Sequence, residues 1–402
     1  MVSVPVIPES VIMLFRALLT ATLMVTASSV SAIQIEFWHA HQSLAFVDQV
    51  VKDFTKATGH SVKVSPYTPG DVKAELLLGA QSGLMPDVML VPSDFLGLYQ
   101  ELRLRPVDNG WNDPDTMPLA RATTIVGRNQ WGVPVIQGNH LMLFYNKALV
   151  AEPATSWAEL IQQKPAVENK GARLIGWNYS EMFWFAGFLG AFDGWPMDGD
   201  QITLNTPAMV AALDYYKGLS SQGVIEASCD YNCAQKAFNE GIFAYAINGD
   251  WALADSRREL GDKFGVTTLP TIGDRHMTPM NSTYVLAFPM VSEVPEKLPV
   301  LKAFSRFFQS AEQQYKIYQT AKLLPVNRTI FDKVMTNADE DTKVMLRQLE
   351  QTRPMPSSPA MVVAWQAMSK GFQRLMNGSS AADAAAVMQD LADRELVKRG
   401  DL

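Results

Sequence analysis

Apolar and polar residues alternate along 33–38, Ile-Gln-Ile-Glu-Phe-Trp, the period of a strand with one buried face. Over 43–59 the period lengthens. Leu44, Val47, Val51 and Phe54 fall on one face of a predicted helix that Ser43 can cap and Gly59 can end. Residues 60–67 alternate again, 72–83 read as a second helix, and 87–92 form the unbroken apolar run of a buried strand. Strand, helix, strand, helix, strand is the order of a parallel sheet with helices on its faces. Such sheets gather ligands outside the carboxyl ends of their strands. "FWHAHQ" (37–42) and "PSDF" (92–95) lie at two such ends.

A second series follows. Strand patterns at 130–135 and 140–149 lead to a helix start at 155–161, where Ser156 and Glu159 have capping-box spacing. A strand at 172–178 precedes an aromatic-rich helix at 180–195. A helix with proline just past Thr206 covers 206–223. Residues 234–241, 242–248 and 249–260 read as helix, strand and helix; 263–270 and 282–290 read as strands. Past about 295 the chain is almost wholly helical. A length of 402 residues exceeds one ordinary core, and no floppy linker separates the two α/β series. The expected architecture is two α/β lobes joined by hinge strands.

The net charge of −7 argues against nucleic acid and against an anionic membrane surface. Residues 17–25 form an apolar run behind Arg16, and Val30-Ser31-Ala32 offers small residues for cleavage after Ala32. Residues 1–32 therefore read as a secretory signal peptide, with export to the periplasm. The run is too short to span a membrane, and Ile33 rather than cysteine follows the cut, so no lipid anchor is expected. Met13 would be a tidier start than Met1. Cys229 and Cys233 are the only cysteines, and an oxidising compartment favours a local disulfide between them. A zinc site would need two further ligands, and no histidine is close in sequence.

His39 and His41, two positions apart, would face one side of a strand and so raise the question of a metal. The remaining histidines, His60, His140 and His276, are scattered, and neither metal nor cofactor is expected. Phosphate-loop, G-x-S-x-G and H-E-x-x-H motifs are absent, which points toward binding rather than catalysis. What recurs is an aromatic ring near a carboxylate or amide at an element end: Glu181 with Phe183, Asp250 with Trp251, and Trp365 beyond Pro356. Flat rings stack on the C–H faces of sugars while polar neighbours bind hydroxyls. Against this, one tryptophan on a helix is more readily explained as core; several rings, each near a polar residue at an element end, weigh about evenly between core and ligand.

"AFNEGIFAYAINGDWALA" (237–254) followed by "FGVTTLPTIG" (264–273) resembles the maltose-binding family of periplasmic solute-binding proteins of ABC transporters. "FYNKALV", "TSWAELI", "SEMFWFAGFLGAFDGW" and "MPSSPAMVVAW" resemble further family segments in the same order. The resemblance implies a ligand cleft between two lobes, 33–137 plus 285–328 and 138–284 plus 329–402, and a monomer that docks on membrane permease subunits. It implies ligand-binding roles for Asp94, Glu181, Phe183, Trp251 and Trp365, with Asn139 near a cleft glutamate of the family and Asp250 beside Trp251. His41 and Gln42 stand where relatives present polar groups to the sugar. Val91 and Phe95 replace a tryptophan and an arginine of the family, which argues against maltose itself while leaving some carbohydrate. The alternative ligand is glycerol 3-phosphate or a related phosphorylated polyol; "SSPAMVVAW" lacks the arginine such a ligand would want, and Arg353 lies just outside. A glycosidase would need two carboxyls flanking one bond, and the resemblance places Asp94 and Glu181 on opposite lobes without an evident general acid.

Overall fold

The first sheet grows from alternation in the first hundred residues. In this computed structural model, which describes residues 32–41, 44–290 and 294–400, strand β1 (Gln34–His39) buries Ile35, Phe37 and His39 on one face. It pairs in parallel with β2 (Ser61–Pro66) on one side and β3 (Val88–Pro92) on the other. Helix α1 (Leu44–Thr58) crosses from β1 to β2 and buries Phe46, Val47, Val50 and Phe54. The buried face is thus rotated from the expected one: Leu44 is half exposed, because Phe46 turns inward against His41 and Phe308. Each fully buried phenylalanine in this layer contributes about 2–3 kcal/mol. The proposed cap Ser43, the ligand candidate Gln42 and nearly all of the expected signal peptide lie outside the described residues.

Helix α2 (Pro69–Ser82) starts at Thr68, whose hydroxyl accepts from the Asp71 N–H, and ends on left-handed Gly83. The sheet continues through β4 (Val133–Gly138) and a strand contributed from far along the chain, β9 (Met280–Ala287), which runs antiparallel to both β3 and β4. The order is β2-β1-β3-β9-β4.

The second sheet has the order β8-β5-β7-β6: Phe264–Thr267, Leu141–Asn146, Phe243–Gly249 and Arg173–Gly176. Its central strand β7 is buried along its whole length. Helices α3 (Met182–Ala191), α4 (Pro207–Ser221) and α5 (Tyr231–Asn239) belong to this layer. Among the described residues beyond β9 the regular elements are helices apart from a two-residue strand, Arg353–Pro354, beside the start of β9. Helices Leu298–Gln309 and Ala311–Ala321 pack on α1, whereas Glu340–Glu350 packs on β8. Helix α6 (Pro359–Met376) touches the turn after β3 as well as α3 and α4, and so reaches both layers. Among the described residues no helix is long and apolar enough to cross a membrane.

The chain passes from one sheet to the other within Gly138–His140. Gly138 has φ +108° and Asn139 φ +41°, a left-handed pair that glycine and asparagine tolerate better than other residues. A second passage, between β8 and β9, returns it.

Candidate ligand-binding cleft

The carboxyl ends of β1 and β3 face those of β6 and β7, and the site is assembled from the turns that follow them. After β3, a short 3₁₀ helix, Ser93–Leu98, presents Asp94. After β6, Glu181 stands at the N-cap of α3 and Phe183 in its first turn. After β7, the chain turns at once through Asp250 and Trp251. Trp365, on α6, completes the ring: its indole Nε1 donates to Asp94 Oδ2 at 3.2 Å, linking residues 271 positions apart.

Asp94 is half-buried, and loss of water around it raises its carboxyl to about 6, against the opposing pull of the Lys73 ammonium and the Trp365 indole. Glu181 keeps access to solvent, yet the protein on either side of the cleft displaces enough water to hold its carboxyl above the usual range. The backbone N–H groups of Phe183 and Met182 oppose that rise, and the Asp94 charge adds to it. Lys73, half-buried on α2, feels both carboxylates; its own desolvation lowers its pKa. A cation and two carboxyls from two layers thus share one electrostatic site.

The aromatic wall lies on the second layer. Trp251 is buried, with its ring 6.2 Å from Phe183 and 6.0 Å from Trp184, and its indole Nε1 donates to Tyr231 Oη at 3.1 Å. Gly249 permits this placement: a Cβ there would stand 2.1 Å from the Trp251 ring. Trp184 is anchored separately through its Nε1 to the Ile247 carbonyl at 2.8 Å. Phe183 remains half-buried.

Asp250 and Asn139 are bonded to each other, and Asn139 to Ser282. Asp250 is 1% exposed, and its Oδ2 accepts from the Asn139 N–H at 2.8 Å. The Asn139 side chain donates to Ser282 Oγ at 2.6 Å. Both residues therefore meet at the Gly138–His140 passage, where the buried Asp250 carboxyl takes the N–H of the positive-φ residue Asn139. His140 faces the same carboxylate, with Nδ1 3.6 Å from Asp250 Oδ2, while its Nε2 lies 3.0 Å from the Met345 carbonyl oxygen. Burial pushes Asp250 up to about 7 and His140 down to about 4.

His41 is buried with its ring 4.6 Å from Tyr284 and 4.8 Å from Phe46. Tyr284, from β9, interacts electrostatically with Asp250, Tyr231 and Asp94, which sets it at the floor of the cleft. His39 points into the first layer beside Phe37, and burial lowers its pKa. Among the described residues, no three metal-ligating side chains gather. A cavity of about 870 Å³ lies elsewhere along the layers, lined by Tyr99, Gly127, Asp200, Ser357 and Asp393, and touches none of the expected ligand residues. Cys229 and Cys233 are joined by a disulfide.

Lys73, Tyr231, Tyr284 and Ser282 were not singled out by the sequence. Tyr231 carried a usable signal, since it stands between the two cysteines.

Residues 49–344 match the family described as bacterial extracellular solute-binding protein. The chain belongs to that family. A maltooligosaccharide ABC transporter solute-binding lipoprotein of Streptococcus pneumoniae R6 is 25% identical to this solute-binding protein over 368 residues, 85% of this chain and 84% of the relative. A galactooligosaccharide-binding protein of Bacillus subtilis 168 is 25% identical over 381 residues, 88% and 87% of the two chains. Among solved structures, the maltose/maltodextrin-binding domain MalE of Bdellovibrio bacteriovorus, bound to maltotriose, superposes with a TM-score of 0.84 at 23% identity, over 90% of this chain and 100% of that one. The GacH receptor of Streptomyces glaucescens gives 0.82 at 23% identity, over 91% and 99%. These likenesses establish the two-lobed fold, and the family is one of extracellular solute-binding proteins rather than enzymes.

Proposed function

We propose that this protein captures a neutral oligosaccharide between its lobes and delivers it to the permease of an ABC importer. The observation that carries the reading is the cleft itself: Phe183, Trp251 and Trp365 supply rings, and Asp94, Glu181 and Lys73 supply hydroxyl-binding groups from both layers. Carboxylates and an ammonium are good partners for sugar hydroxyls, and rings are good partners for sugar C–H faces. His41 and Gln42 join the ligand set; Asn139 and Asp250 support it from behind. The relatives named for maltooligosaccharide and galactooligosaccharide point the same way.

A ligand held by both lobes binds the closed arrangement better than the open one and shifts the population toward it. The lobes are proposed as 33–137 plus 285–328 and 138–284 plus 329–402, the boundary at 284/285 falling inside β9, a strand of the first sheet. Export by cleavage after Ala32, release into the periplasm without a lipid anchor, and action as a monomer complete the reading. A phosphorylated polyol is the weaker reading. The cation of the site, Lys73, is shared with two carboxyls, and Arg353 stacks on Trp195 at 4.4 Å instead.

A thermal-shift panel of maltotriose, galacto-oligosaccharides, monosaccharides and glycerol 3-phosphate tests this, since a ligand at a hundred times its Kd stabilises by about 2.7 kcal/mol. Stabilisation by an oligosaccharide that disappears in Trp365→Ala supports the proposal. Stabilisation by glycerol 3-phosphate alone overturns it.

A further inference from the structure

The Cys229–Cys233 bridge spans four positions in sequence, so it removes less entropy from the unfolded chain than a bridge closing a long loop would. It also is not needed to start the helix that follows. Asp230 already caps α5, its Oδ1 accepting from the Cys233 N–H at 2.8 Å. What the ring encloses is Asp230, Tyr231 and Asn232. Of these, Tyr231 sends its side chain into the cleft wall. Its hydroxyl accepts the indole proton of Trp251 at 3.1 Å and is hydrogen-bonded to the Asn248 side chain as well. Its ring stands 6.2 Å from Trp184. An indole N–H has one proton to give, so Tyr231 fixes the orientation of Trp251.

We infer that the Cys229–Cys233 disulfide is a positioning device for the ligand cleft: by locking the turn at the start of α5 it aims Tyr231, and Tyr231 aims Trp251. A phenol is a long lever, so a small change in the backbone of this turn displaces the hydroxyl by more than a hydrogen bond tolerates. The bridge acts on affinity more than on folding. Cys229 is buried and Cys233 exposed, so a reductant reaches the bridge from the surface while the helix cap stays in place.

The ligand readout rests on the carbohydrate reading above, so the test has two arms. In the first, maltotriose and galacto-oligosaccharides are titrated into wild type, Cys229→Ala/Cys233→Ala, Tyr231→Phe and the triple variant, and thermal unfolding is followed in each. Losing one hydrogen bond of the wall weakens binding by up to about tenfold. The expected result is that loss on removing the bridge, and little further loss when the bridge is removed from Tyr231→Phe. The change in melting temperature should be the same in both backgrounds. Equal loss of affinity with and without the hydroxyl, or none at all, overturns the inference. If wild type binds no saccharide, the carbohydrate reading fails and the second arm decides. There, hydrogen exchange of the Trp251 indole, identified by its absence in Trp251→Phe, should quicken when the bridge is removed. Unchanged exchange overturns the inference. Phosphine reduction of the folded wild-type protein gives the same readouts without substitution.

Discussion

Replacing Asp250 by asparagine should make the protein more stable at neutral pH than at acid pH relative to wild type. The carboxyl is buried and accepts from the Asn139 N–H; an asparagine carbonyl can keep that bond. Burial raises Asp250 from 3.8 to about 7. The folded protein therefore holds a proton there that the unfolded chain has released, and the wild type loses stability as pH rises between those values. The displacement corresponds to about 4 kcal/mol. His140 has the opposite sign. It drops from 6.5 to about 4, so the folded state lacks a proton that the unfolded chain binds, and stability rises with pH over that interval. The two groups face each other at 3.6 Å and together keep one proton, so their contributions nearly cancel in the wild type. Asp250→Asn removes one side of the balance. With an unfolding entropy of about 2.1 cal/mol/K per residue, 4 kcal/mol is about 5 °C for a chain of this size. Differential scanning calorimetry of both proteins from pH 4 to pH 8 should show the variant gaining about that much on the wild type as pH rises. Parallel profiles, offset by a constant, would show that Asp250 is ionised throughout and that the linkage argument is wrong.

Other outcomes follow from the same geometry. Gly138→Ala places a Cβ 2.3 Å from Asp250 Oδ2 at φ +108°, and should destabilise by about 2–4 kcal/mol in the same calorimetric assay. Trp365→Phe keeps the ring but removes the donor to Asp94, and should weaken saccharide binding by roughly threefold to tenfold in isothermal titration. Desolvation holds Asp94 at about 6, opposed chiefly by Lys73, so saccharide affinity should change through that pH. Lys73→Met should move the midpoint upward; an unmoved midpoint would remove Lys73 from the site.

The fold was largely legible because its two sheets are written in local periods: alternation in β1 and β2, an unbroken apolar run in β3, and helical runs of longer period between them. The rotation of α1 was not, because the choice between Leu44 and Phe46 as the inward residue depends on Phe308, more than 250 positions away in the chain. The carboxyl end of a strand pointed to the turn that carries Asp94, whereas Glu181, Phe183 and Trp251 were suggested by rings beside polar groups at element ends and by the family resemblance. Asp250 shows where such reasoning stops. Its place beside Trp251 suggested a ligand group, yet its partner is a backbone N–H 111 residues earlier, exposed by a left-handed turn that spacing alone does not reveal. Lys73 is a single charge on an otherwise ordinary helix, and only the packing of two layers brings it to two carboxyls. Tyr284 looks like any other aromatic residue of a buried strand, and its place under Asp94 and Asp250 depends on β9 returning between β3 and β4.

Isothermal titration of the mature protein with maltotriose, galacto-oligosaccharides and glycerol 3-phosphate, alongside Asp94→Ala and Trp365→Ala, tests the central claim most directly. The account predicts one oligosaccharide bound per chain and binding lost in both variants. Tight binding of glycerol 3-phosphate with no heat from any saccharide, or saccharide binding untouched by both substitutions, would contradict it.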